Sequence, residues 1–300
     1  MSVVITQLFN GVSLGSIMLL IALGLAITFG LMNVINMAHG ELIMVGAYMT
    51  YVVQQVFTKY LPMDLFDYYY IVAVPLAFCV SALLGVIIEK TLIRYLYNRP
   101  LDSLLATWGV SLILQQAARS IFGAPNVAVT APSWLDGGLV IAGLVFPYKR
   151  LFILFLVLVC MTVLYFYLDK TAAGRRMKAV TMNRSMASCL GVSTEKVDAY
   201  AFALGSGLAG IAGCALTVLG PIGSTIGTYY IVDAFMVVIL GGIGKLVGTI
   251  LGAFGVGMVE TIVEYSTDAS MAKVIVFVLI IAFLQFRPSG LVSVRTRSLD

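Results

Sequence analysis

Nine apolar runs dominate the chain, at 5–31, 37–57, 69–88, 104–122, 151–168, 197–219, 229–243, 246–263 and 274–286. About 20 apolar residues suffice to cross a bilayer core as a helix. Hydrophobic residues make up 61% of the 300 positions and charged ones only 11%, where a soluble domain carries roughly 25% charge. So much apolar surface cannot be hidden under a polar coat. An ordinary soluble enzyme, a disordered chain and a nucleic-acid-binding domain are excluded. A transmembrane barrel would instead show alternating segments of about ten residues. The expected fold is an all-α polytopic membrane protein with eight to nine transmembrane helices. The short seventh run makes a broken or re-entrant segment an expected feature. No separate soluble domain fits, so residues 1–300 form one membrane domain. The first run lacks a basic leading segment and a clean cleavage site, and is expected to be a retained span.

Loop charge orients these runs. With the N-terminus outside, the inner segments hold Lys90, Arg94, Arg99, Lys170, Arg175, Arg176, Lys178, Arg184, Lys196, Lys245, Arg287, Arg295 and Arg297, which is 13 of the 18 basic residues. The positive-inside rule then predicts an outer N-terminus and an inner C-terminus. Two polar interruptions remain. The loop 123–148, with Pro125, Pro132, Pro147 and Gly137-Gly138, reads as an ordered external loop with a short hairpin. The inner segment 170–196 is basic, rich in small residues and helical in pattern.

Several familiar motifs lose their meaning in context. Gly205-Ser206-Gly207-Leu208-Ala209-Gly210 matches a dinucleotide fingerprint but lies inside an apolar run, without the strand it requires. Gly242-Ile243-Gly244-Lys245 lacks a phosphate loop's first glycine, since position 239 is Ile239. It also lacks the hydroxyl residue, since position 246 is Leu246. The chain therefore shows no ATP site of its own, and no bound cofactor or metal is expected. Cys79, Cys160, Cys189 and Cys214 are scattered and suggest neither disulfides nor zinc. Small residues recur every four positions at Gly244, Gly248 and Gly252, at Gly205, Ala209 and Gly213, and at Gly11 and Gly15. Such stripes let helices approach closely in lipid.

Three constellations carry the functional reading. Asn36, His39 and Glu41 interrupt the apolar pattern between the first two runs. Ionisable groups in such positions face a cavity or one another, unless the stretch is a polar turn at the membrane surface. Asp233 is a second candidate for a solute path, although an acid early in a helix also suits its N-terminus. The third is the inner segment, where Met177, Val180, Ala187 and Leu190 fall near one helical stripe. Gly191 is placed as a helix stop, and Ser193 or Thr194 can cap the next helix. A basic amphipathic helix of this kind lies on anionic lipid or docks in a partner's groove.

At these residues the chain resembles a known family. Asn36-Met37-Ala38-His39-Gly40-Glu41 with Met44, Gly46 and Tyr48, the run Gly241-Gly242-Ile243-Gly244-Lys245-Leu246-Val247-Gly248, and the tail Phe286-Arg287-Pro288 with Gly290 and Leu291 are similar to permease subunits of branched-chain amino-acid-type ABC importers. The pattern Ala187, Leu190, Gly191 resembles the end of that family's cytoplasmic coupling helix. The stretch 30–41, with Met37 where the amino-acid branch more often has Phe, looks most like the urea or short-amide branch. Many urea permeases carry an N-terminal extension, whereas this sequence begins directly at its first run. The resemblance implies a transport subunit of a bacterial inner membrane rather than an enzyme. It implies a second homologous permease, two cytoplasmic subunits that hydrolyse ATP, and a periplasmic solute-binding protein. It assigns Gly174, Arg175, Arg176, Asn183, Ala187 and Gly191 to the coupling helix. The expected function is ATP-driven import of urea or short amides. The alternatives are the same importer class acting on branched-chain amino acids, and a passive urea-type channel.

Overall fold

The computed structural model describes residues 2–292 apart from Asn33, Asn98 and Ala142. Arg295 and Arg297, two of the inner charges, and Asn33 of the first constellation lie outside the described residues. The described residues form eleven α-helices: α1 (Ser2–Met32), α2 (His39–Tyr60), α3 (Tyr69–Thr91), α4 (Pro100–Phe122), α5 (Tyr148–Lys170), α6 (Ala172–Met182), α7 (Arg184–Cys189), α8 (Thr194–Thr217), α9 (Ile226–Gly241), α10 (Leu246–Ser266) and α11 (Ala269–Phe286). The loop 123–148 contains the expected hairpin, with β1 (Gly138–Ile141) paired antiparallel to β2 (Leu144–Pro147).

Each apolar run forms a helix, but the expected eight to nine crossings are not matched. Among the described residues, six helices are long and apolar enough to cross a membrane, and they correspond to α1, α3, α5, α8, α10 and α11. The other three fall short for physical reasons. α9 has only 16 residues. α2 and α4 have the length, at 22 and 23 residues, but polar side chains dilute their hydropathy. Those same polar side chains build the site described below.

α1 and α8 are the central helices. α8 packs on α1, α2 and α3, while α1 packs on α8, α9 and α10. The sets α1–α3 and α8–α10 thus share one pattern of neighbours: α1 meets α10 as α8 meets α3, and α1 meets α9 as α8 meets α2. Small residues explain the closeness. Gly24 and Gly205 face each other main chain to main chain, as do Gly40 and Gly227. The fingerprint-like glycines prove to be packing positions: a Cβ on Gly207 would strike the Phe78 ring, and one on Gly210 would strike Ser81 and the Ala77 carbonyl. In the second stripe Gly248 lies on Gly241, and Gly257 lies on Gly15. Without a hydrophobic drive between helices in lipid, such contact supplies the dispersion energy that holds a bundle together.

The inner segment departs from a single amphipathic helix. Thr171 caps α6 by accepting from Gly174 N at 3.1 Å. The extended backbone of Asn183 ends α6, and its side chain caps α7 by accepting from Met186 N at 2.9 Å. Gly191, at φ +82°, stops α7 as expected, and Val192 N donates back to Ala187 O at 3.0 Å. The break at Asn183 rotates the stripe. Met177, Val180 and Ala187 are buried, but Leu190 is 78% exposed.

Candidate functional site

The first constellation sits deep in the bundle. His39 Nε2 lies 3.2 Å from Ile21 O. A carbonyl can only accept, so Nε2 carries the proton. Ile21 is buried well inside α1, eleven residues or about 16 Å from its end at Met32, so α2 begins inside the bundle beside α1. The chain after α1 therefore turns back into the bundle. Broken helices are tolerated at such depth where the freed backbone finds partners. Asn36 provides one, its Oδ1 accepting from Ala38 N at 3.0 Å, and Thr107 provides another, its Oγ1 accepting from Met37 N at 3.1 Å.

His39 and Glu41 do not face each other. Two residues apart on a helix, they point to opposite sides. His39 is wedged against Gly24 beside Gly205. Glu41 faces α4 and α9, where its Oε1 accepts from Ser111 Oγ at 2.8 Å, Gln115 Nε2 at 2.8 Å and Thr228 Oγ1 at 3.2 Å. Glu41 is 1% exposed, and its Oε2 has no hydrogen-bond partner. Asn36 Nδ2 and His39 Nδ1 are also buried and unpartnered. Unsatisfied buried groups are rare and costly, and three within six residues mark this turn as more than scaffold.

The partners of Glu41 reveal residues that sequence reasoning missed. Ser103, Thr107, Ser111, Gln115 and Arg119 recur every four positions along α4, so each shares a face with the next and the row winds slowly around the helix. Ser103, Thr107 and Ser111 are buried. Gln115 bridges to Thr228 Oγ1 at 2.8 Å, and Arg119 Nε donates to Ser224 Oγ at 2.9 Å. A polar seam thus runs along α4 against the starts of α2 and α9. The signal was present as a four-residue period of hydroxyl and amide residues in an otherwise apolar run.

Asp233 is placed elsewhere. α9 begins at Ile226 after its N-cap Thr225, so Asp233 lies well inside the helix and does not cap it. Its Oδ2 accepts from Lys273 Nζ of α11 at 2.6 Å, and that ammonium lies 3.5 Å from the Tyr229 ring centroid. Glu260, also buried, completes this cluster on α10.

The residues that the resemblance assigns to a coupling helix lie together in the segment 170–196. Gly174 packs on the last carbonyls of α5, where a Cβ would not fit. Arg175 reaches Lys170 O at 3.3 Å. Arg176 lines a 510 Å³ groove between α6 and the start of α8, with Leu190, Lys196 and Tyr200. Asn183 and Ala187 form the α6–α7 joint, and Gly191 ends it. Arg184, next to that joint, makes a forked bond to Asp198 of α8, one arm at 3.2 Å, and stacks 4.9 Å from the Tyr97 ring. Burial, with Asp198 and Glu89 nearby, keeps the Tyr97 phenol well above its usual range and hence neutral. Asp198 is fully buried but Arg184 is not. Asp198→Asn is therefore expected to cost only about 1–2 kcal/mol, since the guanidinium can return to water. Hydrogen exchange checks this: amides of α7 should exchange faster while those of mid-α8 stay protected.

Comparison with known proteins defines the class. A family described as "Branched-chain amino acid transport system / permease component" matches residues 7–284, and the chain belongs to it. The chain is 30% identical over 297 residues to the high-affinity branched-chain amino acid transport system permease protein LivH of Escherichia coli K12, covering 95% of this chain and 94% of that one. It is 29% identical to BraD of Pseudomonas aeruginosa, which bears the same description, over the same shares of the two chains. No solved structure matches. These relatives belong to the amino-acid branch, so they do not support the urea branch suggested by Met37.

Proposed function

We propose that the chain is a permease subunit of an ATP-binding-cassette importer of branched-chain or similar amino acids in the cell membrane. The single observation that carries the reading is the polar seam of α2, α4 and α9, centred on the buried Glu41, in a chain matched by this family over 7–284. An apolar bundle tolerates such groups where a polar solute passes. The relatives' described substrate favours amino acids over urea.

In this reading the N-terminus faces outward, and the segment 170–196 docks on cytoplasmic ATP-hydrolysing subunits. A second homologous permease completes the path, and a solute-binding protein delivers the solute. Arg175 and Arg176 are exposed, as a docking surface requires. α6 is fixed to α5 through Thr171 and Gly174, and α7 to α8 through Arg184, so a push on the segment reaches the helix that holds Gly205 against Gly24.

Replacing Arg175 and Arg176 by Glu tests the docking assignment. ATP-driven uptake should fall at least tenfold, a loss of about 1.4 kcal/mol in coupling. ATP hydrolysis by the assembled complex should lose its dependence on solute. Unchanged uptake would remove the assignment.

A further inference from the structure

The seam carries unpaired polar atoms of both characters. Glu41 Oε1 is held by three donors, yet Oε2 has none. Two turns further along α2, the Tyr48 hydroxyl is also buried without a partner, and its ring stacks on Phe122 at 4.3 Å. Arg119 lies one turn beyond Gln115 on α4. It bonds to Ser224 and is in no ion pair among the described residues, and its charge acts on Tyr48. Glu41 and Tyr48 are seven residues apart on one face of α2, about 10 Å along the helix. One end of the seam thus offers an acceptor, and the other offers a cation and a hydroxyl. Leaving Glu41 Oε2 and the Tyr48 hydroxyl unpaired in a bundle is costly, whereas Arg119 is exposed. Thr228, on the same seam, is exposed and gives access to it.

We propose that this seam is a binding site for a zwitterionic α-amino acid. Glu41 Oε2 accepts from the solute's ammonium group, while Arg119 and Tyr48 donate to its carboxylate. Ser111, Gln115 and Thr228 are positioning residues that hold the Glu41 carboxylate by its other oxygen. The proposal rests on the amino-acid reading above and adds to it the atoms that recognise the solute's two charges.

The test is equilibrium binding of labelled leucine to the purified permease–ATPase assembly without its solute-binding protein. Two analogues compete: the 2-hydroxy acid of the leucine skeleton, which lacks the ammonium, and 3-methylbutylamine, which lacks the carboxylate. Wild type should prefer leucine over each by about 10- to 100-fold, the range for one charge-assisted hydrogen bond. Glu41→Gln should lose the preference over the hydroxy acid alone, and Arg119→Met the preference over the amine alone. If Glu41→Gln fails to assemble, Thr228→Val serves instead, and it should weaken the preference over the hydroxy acid. Variants that keep both preferences would overturn the proposal. So would leucine uptake by the complete transporter without leucine binding to the assembly, and that result would leave the amino-acid reading standing. Absence of any amino-acid uptake would overturn both.

Discussion

Gly213→Leu is expected to prevent stable assembly of the bundle. Gly213 lies in α8 against α2, and an added Cβ would fall on the Ile43 carbonyl and close to Ala47 N. Both obstacles are main chain within a helix, so neither can rotate away as a side chain could. Relief would require α2 to move off α8, which would also disturb Gly46 against Gly210 in the same crossing. Overpacking typically costs about 1–3 kcal/mol where side chains can adjust; with two backbones in collision the cost should exceed about 3 kcal/mol. Yield and elution of a detergent-purified protein measure this. The variant should aggregate, whereas Gly109→Leu, at a position with no neighbour within 4 Å, should behave as wild type.

Lys273→Met should destabilise the protein by about 3 kcal/mol, because it leaves Asp233 buried without its cation. Asp233 is 2% exposed and has Glu260 for company on the neighbouring helix. The ammonium also covers Tyr229 at 3.5 Å, a contact that methionine replaces only in part. The double variant Asp233→Asn with Lys273→Met should recover most of the loss, since no buried charge is then stranded. Thermal unfolding of the four members of this cycle reads the coupling directly. If the single and double variants unfold at the same temperature, the pair contributes nothing to holding α11 against α9. The pairing also explains why Asp233 reads ambiguously in sequence: it is a helix-interior acid whose partner lies 40 residues away.

What the sequence made legible follows from periodicity. Apolar runs marked every long helix, and glycine spacing marked the crossings at Gly205, Gly213 and Gly248. Gly191 was legible as the stop after α7, because such a stop depends on local chemistry; the caps by Thr171 and Asn183 appear only in the structure. Depth was not legible. Only the bond from His39 to Ile21 shows that the turn after α1 comes back to the middle of the bundle. Nor does adjacency in sequence show direction: His39 and Glu41 look like one pair and serve opposite faces. The expected number of crossings is not confirmed for a related reason. α2, α4 and α9 are apolar enough to be counted as runs, yet their polar faces are what the site is made of, and those faces are matched only in three dimensions.

The central claim is that this seam conducts an amino acid under ATP control. Its most direct test is uptake into proteoliposomes that hold the chain with a homologous permease, two ATP-hydrolysing subunits and the solute-binding protein, offered labelled leucine or labelled urea. The account predicts leucine accumulation that requires ATP and is lost in the Arg175→Glu, Arg176→Glu variant, with no accumulation of urea. Urea accumulation without leucine, or leucine flux that proceeds equally without ATP, would contradict it.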